Sequence, residues 1–236
     1  MAAGNDVSPH AIRGIGSMAT RGLMQVLTAA YTRQSGVPVS FESVGGVEAA
    51  RRVLADEPFD VVVLASEALD KLAAAGKVDA SRKIDVARSG VAVAVHAGAA
   101  QVDISSEDAV RRAVLDAQGI AYSTGPSGVA LIALFKRWGI AGAIKDRLVQ
   151  APPGVPVASL IAQGEAALGF QQRSELIDVA GIALLGPLPP EIQITTTFSA
   201  APGSRASRPD AVRALLAFMA SKDSEEAKRR CGLEPA

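Results

Sequence analysis

The chain has 236 residues, 49% hydrophobic and 20% charged, a globular composition that can bury a core without staples and excludes a disordered chain. Twenty-four basic residues balance twenty-four acidic ones, so no electrostatic footprint exists for nucleic acid or an anionic membrane, and any anion has to be met locally. Cys231 is the single cysteine, which excludes an internal disulfide and a cysteine-built zinc site.

Apolar β-branched runs alternate with helix-period stretches, the pattern of an α/β fold with largely parallel sheets. The first ten residues show neither a basic nor an apolar signal segment, and no window reaches about 18 uninterrupted apolar residues. The expectation is a cytoplasmic chain as written, or a periplasmic one where an export signal has been trimmed. A short strand near 11–15 precedes a helix carrying Leu23, Leu27, Ala30 and Tyr31 on one face, stopped by Gly36-Val37-Pro38. Residues 37–41 read as a strand, 47–54 as a helix opened by Gly45-Gly46, and 59–65 as a buried strand followed by Ser66 as N-cap.

The rhythm then restarts. Residues 90–96 form a strand, and Ser105-Ser106-Glu107-Asp108 is a capping box for a helix through Ala117. Strand 120–123 leads through Gly125-Pro126-Ser127-Gly128 to a helix with Val129, Ile132, Phe135 and Trp138 on related faces. Pro152 to Pro156 breaks the chain before a helix to Gln163, a strand 166–170 and a helix from about Ser174. After Gly186-Pro187-Leu188-Pro189-Pro190, a threonine-rich strand 192–200 precedes a helix with Pro209 in its first turn. Breaks near Arg88 and Pro189 divide the chain into a discontinuous lobe I, 1–87 with 191–236, and a lobe II, 88–190. Ligands of such folds sit where strands end and helices begin, here expected in a cleft between the lobes.

Three turns place small or hydroxyl residues at such junctions: Gly16-Ser17-Met18, Gly45-Gly46, and Ser123 to Gly128. Free N–H groups, the partial positive charge of a helix start and a serine hydroxyl together can hold an oxyanion without a cation. The bland alternative is that Ser17 and Ser127 are N-caps. Arg88 and Ser89 stand before a strand, where a guanidinium can grip a carboxylate by two hydrogen bonds. Gln171, Gln172, Ser174 and Glu175 cluster after a strand end, and the Gln172 amide can donate to an oxyanion.

Gly14-Ile15-Gly16-Ser17-Met18-Ala19 also fits the dinucleotide pattern G-x-G-x-x-A, with Glu42 near the spacing of a ribose-binding acid. The short strand before it and its Arg13 argue against that use. His10 and His96 lack metal-ligand spacing, and no hydrolase nucleophile elbow is present. No cofactor and no metal are expected.

In order, Gly16-Ser17-Met18, Val44-Gly45-Gly46, Phe59 to Val63, Ala87-Arg88-Ser89-Gly90, Gly164 to Gln172 and Gly186 to Pro189 resemble the type 2 periplasmic solute-binding proteins of the molybdate-binding group. The resemblance implies a two-lobed α/β fold, a monomer, an ABC-type permease as partner and a small anion as ligand. The turns and the resemblance together give as candidate ligand-binding residues Ser17, Met18, Gly45, Gly46, Arg88, Ser89, Ser127, Gly128, Val155 and Gln172. Two positions depart from the group: Val44-Gly45-Gly46 lacks a side-chain hydroxyl, and Gln172 replaces a tyrosine. The run Gln171 to Glu175 is similar to a branch that includes aconitate isomerase, which implies a small organic carboxylate. The enzymatic alternative is isomerisation of an unsaturated tricarboxylic acid, with Arg88 gripping a carboxylate and Glu175 as base.

Overall fold

The computed structural model describes residues 11–236, so the expectations resting on the first ten residues, His10 among them, lie outside the described residues. Two compact units are found, one made of the chain up to Ala87 and from Thr197 to Ala236, the other of Arg88–Thr196.

Unit 1 starts with β1 (Ile12–Ser17), whose last residue leads through a short 3-10 turn into α1 (Arg21–Ser35). Helix α1 buries Leu23, Met24, Leu27 and Tyr31 and stops where Gly36 takes a φ of 71°, a left-handed conformation that glycine adopts without a Cβ penalty. There follow β2 (Val39–Val44), α2 (Gly46–Leu54), β3 (Val61–Ala65) and α3 (Ser66–Ala74). Ser66 is the first residue of α3 rather than its cap, and its hydroxyl accepts from Lys83 Nζ at 2.7 Å.

Strand β4 (Ile84–His96) begins in unit 1 and continues into unit 2. Next come α4 (Glu107–Asp116), capped as expected by Ser106 Oγ on the Ala109 N–H, then β5 (Ile120–Tyr122) and α5 (Pro126–Arg137). The inward face of α5 carries Leu131, Leu134 and Phe135, while Val129, expected on a face related to that of Phe135, is exposed. Unit 2 continues with β6 (Leu148–Gln150), α6 (Val157–Ala162), β7 (Leu168–Gln172), α7 (Arg173–Leu176) and β8 (Ile182–Pro187). Then come β9 (Thr195–Pro202), α8 (Pro209–Ala220), α9 (Glu225–Arg230) and β10 (Glu234–Pro235).

In unit 1, β1 pairs in parallel with β2 and β3, and β3 pairs antiparallel with β9. All five residues of β3 are buried because successive side chains enter two cores. Val61 and Val63 meet Leu23, Leu27 and Leu215; Val62 and Leu64 meet Ala49, Val53, Leu69 and Leu72. In unit 2, β5 runs parallel to β6 and β7, while β4 is antiparallel to β7 and β8. Val91, Val93 and Phe170 face a core with Phe135 and Ile192; Ala92 and Ala94 face Val157, Leu160 and Ile161. The α/β class expected from the alternating pattern is therefore the one observed. Among the described residues no helix is long and apolar enough to cross a membrane.

Candidate functional site

In unit 1, the parallel register sets Ser17 opposite Val44, so the chain leaves both strands at one sheet edge. Gly45 and Gly46 follow at once, and a Cβ on Gly46 would lie 3.6 Å from Ser17 Cβ. Ser17, Gly45 and Gly46 are thus brought together, with Met18 opening the turn after Ser17. Ser17 occupies the N-cap position of that turn, yet its side chain makes no cap hydrogen bond. The residue is 7% exposed, and Oγ is buried with no protein partner. The carbonyl of Ser17 accepts from Thr20 Oγ1 at 3.0 Å, which holds the turn. A buried hydroxyl left unbonded costs free energy, so capping does not account for Ser17.

The dinucleotide pattern has a packing cause. Gly14 and Gly16 lie within β1, beneath the Phe41 ring of β2: a Cβ on Gly14 would collide with that ring, and one on Gly16 would come within 2.9 Å of it. Glu42 is ion-paired with Arg52 at 2.5 Å.

In unit 2, Arg88 and Ser89 are inside β4 rather than ahead of it, because β4 starts at Ile84. Likewise β7 runs two residues past its expected end at Phe170, since Gln171 pairs with Ala92 and Gln172 with Val91. Alternation then sorts the side chains onto two faces. Ser89, Val91 and Gln172 share one. Ser89 is 1% exposed, with Oγ 3.5 Å from Ser174 Oγ. Gln172 is 4% exposed; its Nε2 donates to Thr196 Oγ1 at 2.7 Å, and its Oε1 is buried without a partner.

The opposite face carries Gln171 and, by the same alternation, the exposed Arg88. Gln171 Oε1 accepts from the Val157 N–H at 3.0 Å, and its Nε2 donates to Glu175 Oε1 at 2.8 Å. Burial pushes the Glu175 carboxyl up to about 7, the Gln171 amide acting in the opposite direction by favouring the ionised form.

Other expected positions are engaged locally. Gly125 is the N-cap of α5, so Ser127 lies inside the first turn, its hydroxyl 3.3 Å from Ser123 Oγ. Gly128 lets the Ser123 carbonyl approach where any Cβ would collide. The Val155 N–H donates to Pro152 O at 3.0 Å. Thr196 was not singled out by sequence reasoning; the threonine run at 195–197 is the signal that marks it. Among the described residues no group of three or more His, Cys, Asp or Glu gathers as a metal site.

Unit 1 thus presents helix-start N–H groups and an unbonded hydroxyl, and unit 2 presents the Gln172 amide with hydroxyls on one face and, on the other, the Gln171–Glu175 pair, whose carboxyl burial raises to about 7. Residues 12–234 match the family described as bacterial extracellular solute-binding protein. The chain is 39% identical over 222 residues to an aconitate isomerase from Pseudomonas sp, covering 91% of this chain and 84% of that protein. Its fold is similar to that of the periplasmic molybdate-binding protein of Azotobacter vinelandii, with a TM-score of 0.80 and 17% identity over 95% of this chain and 99% of that one. A substrate-binding protein of an ABC transporter from Agrobacterium tumefaciens matches with a TM-score of 0.76 and 12% identity, over 97% and 80% of the two chains.

Proposed function

We propose, from the premise that this chain belongs to the bacterial extracellular solute-binding proteins, that it captures a small organic polycarboxylate. Of the three buried side-chain polar atoms without protein partners among the described residues, Ser17 Oγ and Gln172 Oε1 carry this reading. Each is a bonding capacity that a ligand would complete. The 39% identity to a protein named for aconitate, a tricarboxylic acid, supports the organic acid over a tetrahedral oxyanion. So does Gln172, whose unbonded Oε1 calls for a donor, which an organic acid can carry as a hydroxyl and an ionised molybdate or sulfate cannot. Delivery to an ABC-type permease is the corresponding role, as for the Agrobacterium protein of the same fold.

The test is a thermal-shift screen of molybdate, sulfate and di- and tricarboxylates, followed by calorimetry. A ligand at 100 times its dissociation constant adds about 2.7 kcal/mol, which moves the melting temperature by several degrees. Stabilisation by tricarboxylates is the expected result. Stabilisation by molybdate or sulfate with none by any carboxylate defeats the reading.

One observation favours a second reading, an isomerase. Glu175, held near 7 by burial, can take up and return a proton at neutral pH. In an allylic 1,3-shift it would remove a proton from the carbon beside the double bond and return it to the far alkene carbon. The double bond moves, and nothing is oxidised or reduced. Arg88, gripping a carboxylate, would offset the charge that develops. Conversion of cis- to trans-aconitate, followed by proton NMR and lost in Glu175→Gln while binding persists, would establish this reading. Tight binding without turnover leaves the capture role.

A further inference from the structure

Building on the carboxylate reading, we propose that Gln172 and Thr196 form a specificity element for an uncharged ligand group that donates and accepts a hydrogen bond at once, and that they disfavour fully ionised groups.

The pair has one donor and one acceptor left to give. Gln172 Nε2 is committed to Thr196 Oγ1 at 2.7 Å. A threonine hydroxyl that accepts still has its own proton to donate, and the Gln172 amide still has a carbonyl to accept with. That carbonyl oxygen is buried and unbonded in a residue 4% exposed. The side chains gathered on this face, Ser89, Gln172, Ser174 and Thr196, are all neutral. An ionised carboxylate or oxyanion set against the Gln172 carbonyl would oppose acceptor to acceptor and leave that oxygen orphaned.

The matching groups in an organic acid are an alcohol hydroxyl and a carboxyl in its un-ionised form. Each supplies an O–H to Gln172 Oε1 and an oxygen to the Thr196 hydroxyl. The device depends on the orientation found here, Nε2 toward Thr196 Oγ1, because a reversed amide would turn its donor toward the ligand and suit a carboxylate. The device thus resides in the couple and needs both partners. A site built to bond a hydroxyl rejects the analogue lacking it far more strongly than an apolar pocket rejects a misfit.

The experiment is calorimetry of the wild-type protein, Gln172→Met and Thr196→Val, each checked for folding by circular dichroism. The probes are propane-1,2,3-tricarboxylate, its 2-hydroxy analogue citrate, its 1-monoamide, and molybdate. Wild type is expected to bind citrate or the monoamide at least about tenfold tighter than the parent acid, a factor that falls below about threefold in both variants. Preference for citrate identifies a hydroxyl as the matched group, and preference for the monoamide identifies an un-ionised carboxyl. Equal affinity of wild type for the three acids, or a preference that survives in both variants, overturns the inference and leaves the carboxylate reading intact. Molybdate binding with no binding of any of the acids overturns both.

Discussion

Gln171 bridges the first helical N–H of α6 and the carboxyl of Glu175: its Oε1 accepts from Val157 N at 3.0 Å, and its Nε2 donates to Glu175 Oε1 at 2.8 Å. A single amide therefore sets the position of the one carboxyl in unit 2 that burial raises to about 7. Between pH 4.5 and 7 the folded protein holds a proton on Glu175 that the unfolded chain has lost. Stability then falls as pH rises through that window, by on the order of 3 kcal/mol, and stays at the lower level above it. Glu175→Gln should flatten this part of the stability profile, measured by urea unfolding from pH 4 to 8. Gln171→Leu removes the group that favours the ionised carboxylate, so the titration should move above 7 in carbon-detected NMR. A Glu175 titration at the ordinary carboxylate value would end this account.

Ser17 separates stability from binding. Its hydroxyl is buried and bonds to nothing in the protein, so Ser17→Ala removes a desolvated group without orphaning a partner. The ligand-free variant should be as stable as wild type or more stable by about 1 kcal/mol. The same change should weaken ligand binding by about 1.5 to 3 kcal/mol, the range for a hydrogen bond to a charged group. Thermal unfolding and calorimetry on one preparation read both quantities. Equal affinity in the two proteins removes Ser17 from the site.

Local signals were legible in the sequence because their causes lie within one turn of chain. Gly36 stops α1, Ser106 caps α4, and Pro209 opens α8, each where its backbone chemistry requires. Short elements were not: β6 has three residues, too few for a period, and β8 carries Gly186. The reach of β7 to Gln172 was hidden for another reason, because polar residues prolong a strand only when a neighbour pairs with them. Ser17 and Gly46 could be chosen from turn chemistry, whereas Thr196 could not. Its bond to Gln172 joins residues 24 apart, from different strands. Gln171 was noticed only as part of a polar run, since its tie to Val157 spans 14 residues and depends on where α6 docks.

The glycines of β1 give a stability prediction that also disposes of a nucleotide site. A methyl on Gly14 would overlap the Phe41 ring and reach Val61 Cγ1 at 3.0 Å, with tightly packed strands on either side. Gly14→Ala should cost about 1 to 3 kcal/mol by overpacking. The compensating double variant Gly14→Ala with Phe41→Leu should regain part of that loss in chemical denaturation. Were these glycines a phosphate cradle instead, NAD or FAD would raise the melting temperature of the wild type, and Gly14→Ala would abolish the rise. The packing origin predicts no rise in either protein.

Asp60 ties the end of the loop before β3 to two distant segments of unit 1. The carboxylate accepts from Arg13 N at 2.9 Å through one oxygen, and from Ser207 N at 2.7 Å and Ser207 Oγ at 3.0 Å through the other. The residue is 6% exposed, so water cannot fully replace what the side chain provides. Asp60→Ala would strand two backbone N–H groups and should cost about 2 to 4 kcal/mol. Asp60→Asn keeps one acceptor oxygen but turns an amide donor toward the other N–H, so it should recover only part of that loss. Ser207→Ala leaves the Ser207 N–H bond in place and should cost about 1 kcal/mol. The three variants thus form a graded series in urea unfolding. Equal losses for Asp60→Ala and Ser207→Ala would show that the backbone bonds to Asp60 contribute little.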